Sequence, residues 1–202
     1  FKIAMGSLGK FYRKKESHFP KEAYLKPNPL MFEYYQQKVK SDKLKVGFAW
    51  CGGIPGTNSL FRKTTLEQWL PILSQDCDFY SFQYQSSAKK ELDKFHEKHP
   101  EIIINHWQDE IDDYDKTVAL VANLDVVISV PQSIIHTAGA LGVHSWQLTP
   151  TRAMWQMGVH GKNMPWYKNT KSFWQKESGE WEEVFKSAGE ELCVLLQNHS
   201  KK

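Results

Sequence analysis

The sequence predicts an α/β protein with a Rossmann-like, doubly wound parallel sheet, and three observations support this fold class. Short apolar runs typical of strands alternate with longer amphipathic segments typical of helices from residue 45 onward. The run Val126–Ile128 is continuously apolar, as expected for a strand that is covered on both faces. The loops of unusual composition all follow a predicted strand, and ligands bind at that end of such sheets.

Each element is predicted from its apolar period and its flanking residues. After an irregular connector at residues 1–28, Pro29 begins a helix that runs to Lys40. The predicted strands are 45–50, 78–82, 101–105, 126–128, 143–148 and 172–174. The other predicted helices begin at Thr64 or Thr65 and at residues 87, 115, 132 or 133, and 180, and residues 109–113 form an acidic loop. We therefore divide the chain into residues 1–44, a connector or the end of an upstream domain with one helix, and a domain at residues 45–202.

The composition excludes several classes of protein. The chain has 202 residues, of which 41% are hydrophobic and 24% charged, and its net charge of +3 is too small and too scattered to indicate nucleic-acid binding. No apolar run approaches the ~20 residues of a membrane span. The three cysteines show no CxxC spacing, which favours reduced thiols and a cytoplasmic protein. The chain begins with Phe1 rather than Met, which suggests a fragment or a processed chain.

The stretch from Asn123 to Gly142 is predicted to form a strand, a sharp turn and a helix. Pro131 ends the strand, Gln132 and Ser133 can open the helix, and Gly142 lies where a helix end favours left-handed geometry. A helix N-terminus at the end of a strand presents free N–H groups and a positive dipole end, which suits an anion such as a phosphate. The alternative is a plain βα unit without a ligand.

A glycine-rich loop with Gly52 and Gly53 follows the first strand of the domain. It is neither a Walker A sequence nor GxGxxG. Arg62 and Lys63 precede the next predicted helix, where two cations oppose the helix dipole unless an anion neutralises them. A diphosphate contact is one interpretation of this pair, and two solvent-facing side chains, which the residues alone favour, is the other.

The remaining candidate residues carry weaker signals. His136 can bind a phosphate or act as an acid or base, although a lone helical histidine is more often structural. Asp112, Asp113 and Asp115 favour helix N-terminal charges over a ribose or base contact. The histidines show no metal-ligand spacing and no Ser–His–Asp arrangement is identifiable, so we predict no metal site and no triad. Aromatic residues of a late loop can stack on a base or sugar, with core packing as the default: Trp155, Trp166 and Tyr167.

Six segments together resemble a known family. They are Trp-x-Gly at residues 50–52, Ser-Phe-Gln at 81–83, Thr-x-x-Leu-x-x-x-Leu-Asp at 117–125, Ile-Ser-Val at 128–130, His-x-Ala-Gly-Ala-Leu-Gly at 136–142 and Pro-Trp-Tyr at 165–167. In this order they resemble the C-terminal half of heptosyltransferase-like family nine glycosyltransferases. The resemblance extends to members linked to tetratricopeptide repeats, which are related to O-linked N-acetylglucosamine transferase, and covers roughly residues 45–195.

The resemblance implies a GT-B enzyme whose C-terminal, donor-binding domain is this chain, with a nucleotide-diphosphate sugar as donor and a glycan or protein as acceptor. It implies no cofactor and no obligatory metal. By position, Gly52, Gly53 and Arg62 or Lys63 would approach the diphosphate, and Gln83 and the segment from Asp112 to Thr117 would lie near the nucleoside. Phosphate and sugar would be bound at the later helix by Gln132, Ser133, His136 and Thr137.

Two departures from the family bear on activity. Relatives commonly have Asp-Thr or Asp-Ser where this chain has Pro131-Gln132, which leaves the sugar open. The family's catalytic base normally comes from an N-terminal domain, so we name no base and expect inactivity without that domain. The first hypothesis is a glycosyltransferase donor-binding domain, the second a non-catalytic nucleotide or nucleotide-sugar binding module, and the third an interaction domain that keeps only the fold.

Overall fold

The computed structural model describes residues 2–53, 59–153 and 164–200, with the side chains of residues 59 and 60 left out. Six strands pair in parallel throughout and form one sheet in the order β3-β2-β1-β4-β5-β6. The strands are β1 (Leu44–Ala49), β2 (Cys77–Ser81), β3 (Ile104–His106), β4 (Val126–Ser129), β5 (His144–Thr149) and β6 (Thr170–Trp174). This order and direction confirm the predicted Rossmann-like, doubly wound class.

Helices connect and cover the strands. They are α1 (Gly9–Tyr12), α2 (Pro29–Lys38), α3 (Leu70–Leu73), α4 (Ala88–Lys98), α5 (Gln108–Asp112), α6 (Tyr114–Val121), α7 (Ser133–Leu141) and α8 (Glu182–His199), with 3-10 turns at Met5–Ser7, Glu16–His18, Ser59–Arg62 and Leu66–Trp69. None of the helices in the described ranges combines the length and the apolar content that a membrane crossing requires.

The sheet separates two layers of core packing. On one face, the ring of Phe48 packs near the rings of Trp69 and Phe79. Trp69 in turn packs against Phe185 of α8. The other face is packed against α2, α6 and α7. Val126, Val127 and Ile128 are fully buried because β4 is central and covered on both sides, as the continuous apolar run predicted.

The N-terminal segment lies against the sheet domain in the described structure. The backbone N–H groups of Tyr24 and Leu25 both donate to the carbonyl oxygen of Ala140, at 2.9 and 3.0 Å. The Asn28 side chain caps α2 by accepting from the N–H groups of Leu30 and Met31. Residues of the predicted connector therefore contact the end of α7 directly.

Four predicted elements differ from the structure. The prediction of an acidic loop at residues 109–113 is wrong, because Gln108–Asp112 is a short helix. The third strand begins at Ile104 rather than at residue 101, although Ile102 is buried before it. The segment after Thr65 forms a 3-10 turn followed by a single α-helical turn, with Pro71 at its start. The sixth strand begins at Thr170, two positions earlier than residue 172.

Candidate functional site

The candidate site lies where the order of the sheet reverses. From β1 the chain proceeds outward to β2 and β3, and from the adjacent β4 it proceeds the other way to β5 and β6. The loops that leave β1 and β4 therefore diverge and open a crevice at the carboxyl edge of the sheet. This crevice brings together the glycine-rich loop and the N-terminus of α7.

The two loops touch at Gly52 and Pro131. A Cβ atom on Gly52 would lie 2.5 Å from the carbonyl oxygen of Pro131, which is closer than any side chain can tolerate. The same carbonyl accepts a hydrogen bond of 3.2 Å from Nη1 of the buried Arg62. Gln132, also buried, donates its Nε2 hydrogen to the carbonyl oxygen of Cys51 at 3.2 Å. Three of the residues predicted to contact phosphate, Gly52, Arg62 and Gln132, are thus connected through the β1 and β4 loops.

Gln83 holds the end of β1 in place. Its Oε1 accepts from the backbone N–H groups of Trp50 and Cys51, both at 2.8 Å, and its Nε2 donates to the Cys51 carbonyl at 3.0 Å. The side chain is only 1% exposed. Gln83 was expected near a nucleoside, and the structure places it beneath the glycine-rich loop with its amide bonded to backbone.

The N-terminus of α7 carries an exposed hydroxyl and uncapped backbone donors. Gln132 stands at the N-cap position in an extended conformation, and its side chain makes no capping hydrogen bond to the helix. Ser133 is exposed at the first turn. The first N–H groups of a helix have no intrahelical acceptors, and the dipole makes this end positive. Gly142 ends the helix with φ of 78°, which is the left-handed conformation that the sequence predicted.

A cleft of about 260 Å³ opens beside this helix end. It lies between the carboxyl end of β2, the α5–α6 segment and the first turn of α7. Tyr84 and Tyr114 are 41% and 59% exposed and line the cleft together with Ser133 and Thr137. The Tyr114 hydroxyl lies 2.9 Å from Oγ1 of Thr137, which also donates to the Ser133 carbonyl at 3.2 Å.

A second cleft, of about 200 Å³, lies on the other side of the glycine-rich loop. Gly52, Gly53 and the exposed Lys63 line it with Gln83 and Glu91. Larger cavities of about 470 and 590 Å³ lie at the two edges of the sheet, beside α4 and α8. We place the candidate site at the sheet reversal because the buried Arg62, the glycine-rich loop and a helix N-terminus meet there.

The acidic segment divides into structural and exposed parts. Asp113 caps α6, because its side chain accepts from the N–H groups of Asp115 and Lys116. Asp112 is exposed and accepts from the Gln108 amide at 2.8 Å. Thr117 lines the first cleft but is buried, and its hydroxyl donates to the Glu110 carbonyl at 2.6 Å. The favoured interpretation of this segment was a charge at a helix N-terminus, and Asp113 has that role.

His136 faces Tyr167 rather than the first cleft. Its Nδ1 lies 3.3 Å from the Tyr167 hydroxyl, and the two rings meet nearly edge to face with centroids 5.8 Å apart. Burial lowers the pKa of His136 below its usual value, so the ring is neutral near pH 7. Trp166 stacks edge-on against Phe19 at 4.8 Å, while Trp155 lies outside the described residues.

The aromatic residues around the site were the least visible in the sequence. Tyr84 and Tyr114 stand in loops of mixed polarity with no distinctive spacing, and only the predicted order of the strands could have indicated their proximity. Within the described ranges, no group of three or more His, Cys, Asp and Glu side chains is arranged to hold a metal ion.

Comparisons with known proteins support the fold class. No family model matches the sequence. Protein FlbA of Caulobacter vibrioides is 29% identical over 189 residues, and the match covers 89% of this chain and 30% of FlbA. The E. coli ADP-heptose LPS heptosyltransferase II structure has a TM-score of 0.60 at 12% identity, covering 94% of this chain and 59% of that one.

The structure of a glycosyl transferase family 9 protein from Veillonella parvula has the same TM-score of 0.60 at 8% identity. The match covers 90% of this chain and 55% of the Veillonella parvula chain. At such identities the likeness concerns the fold. The chain spans less than a third of FlbA and little more than half of each of the two solved structures.

Proposed function

We propose that this chain is the donor-binding domain of a family nine-like glycosyltransferase that transfers a sugar from a nucleotide-diphosphate sugar to a glycan or protein acceptor. The observation that carries the proposal is the junction of Gly52 and Pro131, where the backbone of the glycine-rich loop meets the turn before α7. Only a glycine permits this approach, and it sets a cationic segment beside a helix N-terminus. The structural likeness to two glycosyltransferases supports the same assignment at the level of fold.

The diphosphate is assigned to the crevice between Lys63 and the first turn of α7. Lys63 is exposed beside the glycine-rich loop and supplies a positive charge there. Arg62 is buried and supplies a fixed charge close to the Pro131 carbonyl. Ser133 offers a hydroxyl and a free backbone N–H beside them. Phosphate oxygens are well matched by this combination of charge and backbone donors.

The nucleoside is assigned to the cleft that Tyr84 and Tyr114 line. Both rings are partly exposed at its mouth, so each has an aromatic surface on which a base can stack. The cleft volume of about 260 Å³ is open at one side. Asp112 is exposed at the nearby end of α5, where its carboxylate can accept from a ribose hydroxyl.

Transfer of the sugar leaves a nucleoside diphosphate, and negative charge grows on its terminal phosphate as the sugar–oxygen bond breaks. Lys63, Arg62 and the α7 N-terminus stabilise that charge because they are already in place before the reaction. The acceptor hydroxyl must lose a proton, and none of the residues assigned to the donor site is given that role. We expect the base and the acceptor site on an upstream N-terminal domain.

A non-catalytic nucleotide or nucleotide-sugar binding module is the second candidate, and Gln132 favours it. The family resemblance places a carboxylate near this turn, whereas here Gln132 is 7% exposed and its amide is bonded to the Cys51 carbonyl. A side chain held in this way has little freedom to orient a sugar. Donor turnover by the natural polypeptide that carries this chain separates the two candidates, since a binding module retains nucleotide affinity without releasing nucleoside diphosphate from the donor.

The substitution Ser133→Glu tests the phosphate assignment. A carboxylate in the first turn of α7 interacts favourably with the positive end of the helix dipole. We therefore expect the free energy of unfolding to be unchanged or slightly higher. The same charge repels a bound diphosphate, so nucleotide affinity should fall at least about tenfold, or ~1.4 kcal/mol. Ser178→Glu adds the same charge at an exposed loop position and serves as the matched control. Equal affinities for the two variants would refute the assignment.

A further inference from the structure

The imidazole of His136 has one hydrogen-bonding partner among the described residues. That partner is the Tyr167 hydroxyl, 3.3 Å from Nδ1. His136 lies on the same helix as Ser133, one turn further along, so its ring belongs to the N-terminal half of α7. Whether the remaining nitrogen, Nε2, carries a proton therefore depends on which of the two groups, His136 Nδ1 or the Tyr167 hydroxyl, donates in this hydrogen bond.

Tyr167 is held firmly in its position. Its ring packs so closely on α7 that a Cβ atom on Gly139 would lie 2.4 Å from its Cγ. The residue is only 7% exposed, and its backbone carbonyl accepts from the N–H of Thr170 at 3.3 Å. A hydroxyl fixed in this way is suited to orient a neighbouring imidazole.

The direction of the hydrogen bond follows from the two groups. Burial lowers the pKa of His136 and raises the pKa of Tyr167, so at neutral pH the imidazole is neutral and the phenol is protonated. A neutral imidazole has one donor nitrogen and one acceptor nitrogen, whereas a phenol can donate or accept. The imidazole nitrogen binds a proton with a pKa of about 6.5, so it is a far stronger acceptor than a phenol oxygen.

We propose that Tyr167 is a positioning residue that donates its hydroxyl hydrogen to Nδ1 of His136 and so places the ring proton on Nε2. His136 presents an N–H donor at Nε2 and has no acceptor nitrogen left for a substrate proton. It is therefore a neutral hydrogen-bond donor and not a general base.

The role of this donor in the site rests on the proposed function. The family resemblance assigns His136 to the phosphate and sugar of the donor, and a neutral Nε2–H group is complementary to an anionic oxygen of that ligand. A neutral donor acts there without the desolvation cost of a buried cation. The sequence alone does not assign Tyr167, because residue 167 is separated from His136 by the whole of β5 and the loop that follows it.

Nitrogen NMR of the histidine side chains tests the proposal. In the ¹⁵N-labelled chain at about pH 8, long-range ¹H–¹⁵N correlations distinguish protonated from unprotonated ring nitrogens, and the signal that His136→Gln removes belongs to His136. We expect a protonated Nε2 and an unprotonated, hydrogen-bonded Nδ1 in the unsubstituted chain. A protonated Nδ1 would overturn the proposal, and this measurement requires no substitution of Tyr167.

Tyr167→Phe removes only the hydroxyl and keeps the ring against Gly139. We expect both tautomers to be populated, so that the Nδ1 and Nε2 signals move toward each other. Tyr12→Phe makes the same change at an exposed position away from this pair, and as the matched control it should leave the His136 nitrogen shifts as they are. Unchanged shifts in Tyr167→Phe would overturn the role of Tyr167. Nucleotide titration of the same samples tests the proposed function separately. If the predicted tautomer is found but no nucleotide binds, the proposed function is refuted and the role of Tyr167 stands.

Discussion

Gly52→Ala perturbs the contact on which the candidate site is built. The added methyl group would lie 2.5 Å from the carbonyl oxygen of Pro131 and 3.4 Å from Cβ of Gln132. The first of these atoms is backbone in a buried turn, so it cannot move aside as a flexible side chain would. Relief requires the glycine-rich loop and the turn before α7 to separate, which also displaces Arg62 from its carbonyl acceptor.

The expected cost is that of overpacking, about 1–3 kcal/mol in the free energy of unfolding. In a domain of this size each 1 kcal/mol corresponds to about 2–4 °C in Tm, so the midpoint should fall by about 2–12 °C. Thermal unfolding followed by circular dichroism measures this fall, and nucleotide titration of the folded variant should show weaker binding because the phosphate-contacting groups move apart.

Gly9→Ala is the matched control. It is the same substitution in a short helix, and a Cβ atom there would meet nothing within 4 Å. Its free energy of unfolding should stay within about 0.5 kcal/mol of that of the unsubstituted chain. If Gly52→Ala unfolds at the same temperature as Gly9→Ala and binds nucleotide equally well, the reasoning about the loop contact is refuted.

Three further predictions concern a helix cap, the histidines and the thiols. Asn28→Ala removes the side chain that caps α2 and should lower the free energy of unfolding by about 1 kcal/mol in urea denaturation, without a change in nucleotide affinity. Burial lowers the pKa of both His106 and His136 in the fold, so their contribution to stability is present above the unfolded pKa of about 6.5 and is lost as the pH falls through the folded values. Denaturation at several pH values should show this loss, and a stability that does not fall below pH 6 would contradict it. Cys193 is exposed, whereas burial raises the pKa of Cys77 to about 12, so a thiol reagent at pH 8 should label Cys193 rapidly and Cys77 only after unfolding. The Cys193→Ser variant should lose the rapid phase of labelling.

The sheet was predictable because its strands carry strong signals. β4 is a continuous apolar run, and Pro131, Ser133 and Gly142 mark the turn and the helix that follow. The third strand was misplaced because Ile102, Ile103 and Ile104 all look equally strand-like. In the structure Ile103 is 73% exposed and only Ile104 pairs with β2, since the edge position of β3 leaves part of the run outside the sheet.

The proximity of the glycine-rich loop and α7 was predictable, but the contacts between them were not. The carboxyl ends of β1 and β4 meet by topology, which brings the glycine-rich loop to α7. The roles of Gln83 and Thr117 could not be predicted from the sequence. Their side chains form hydrogen bonds with backbone groups that only the folded chain brings near. The acidic segment was predicted as a loop because five residues carry too weak a period to indicate a helix, and Asp113 then caps the next one.

The central claim is that the site at the sheet reversal binds the diphosphate of a nucleotide sugar. Calorimetric titration of the chain with UDP, ADP, GDP and CDP, each compared with its nucleoside and each with and without magnesium, tests this most directly. We predict that one diphosphate binds at least about tenfold more tightly than its nucleoside, without a need for magnesium, and that Lys63→Ala reduces this difference. No binding of any diphosphate, or equal binding of a diphosphate and its nucleoside, would contradict the account.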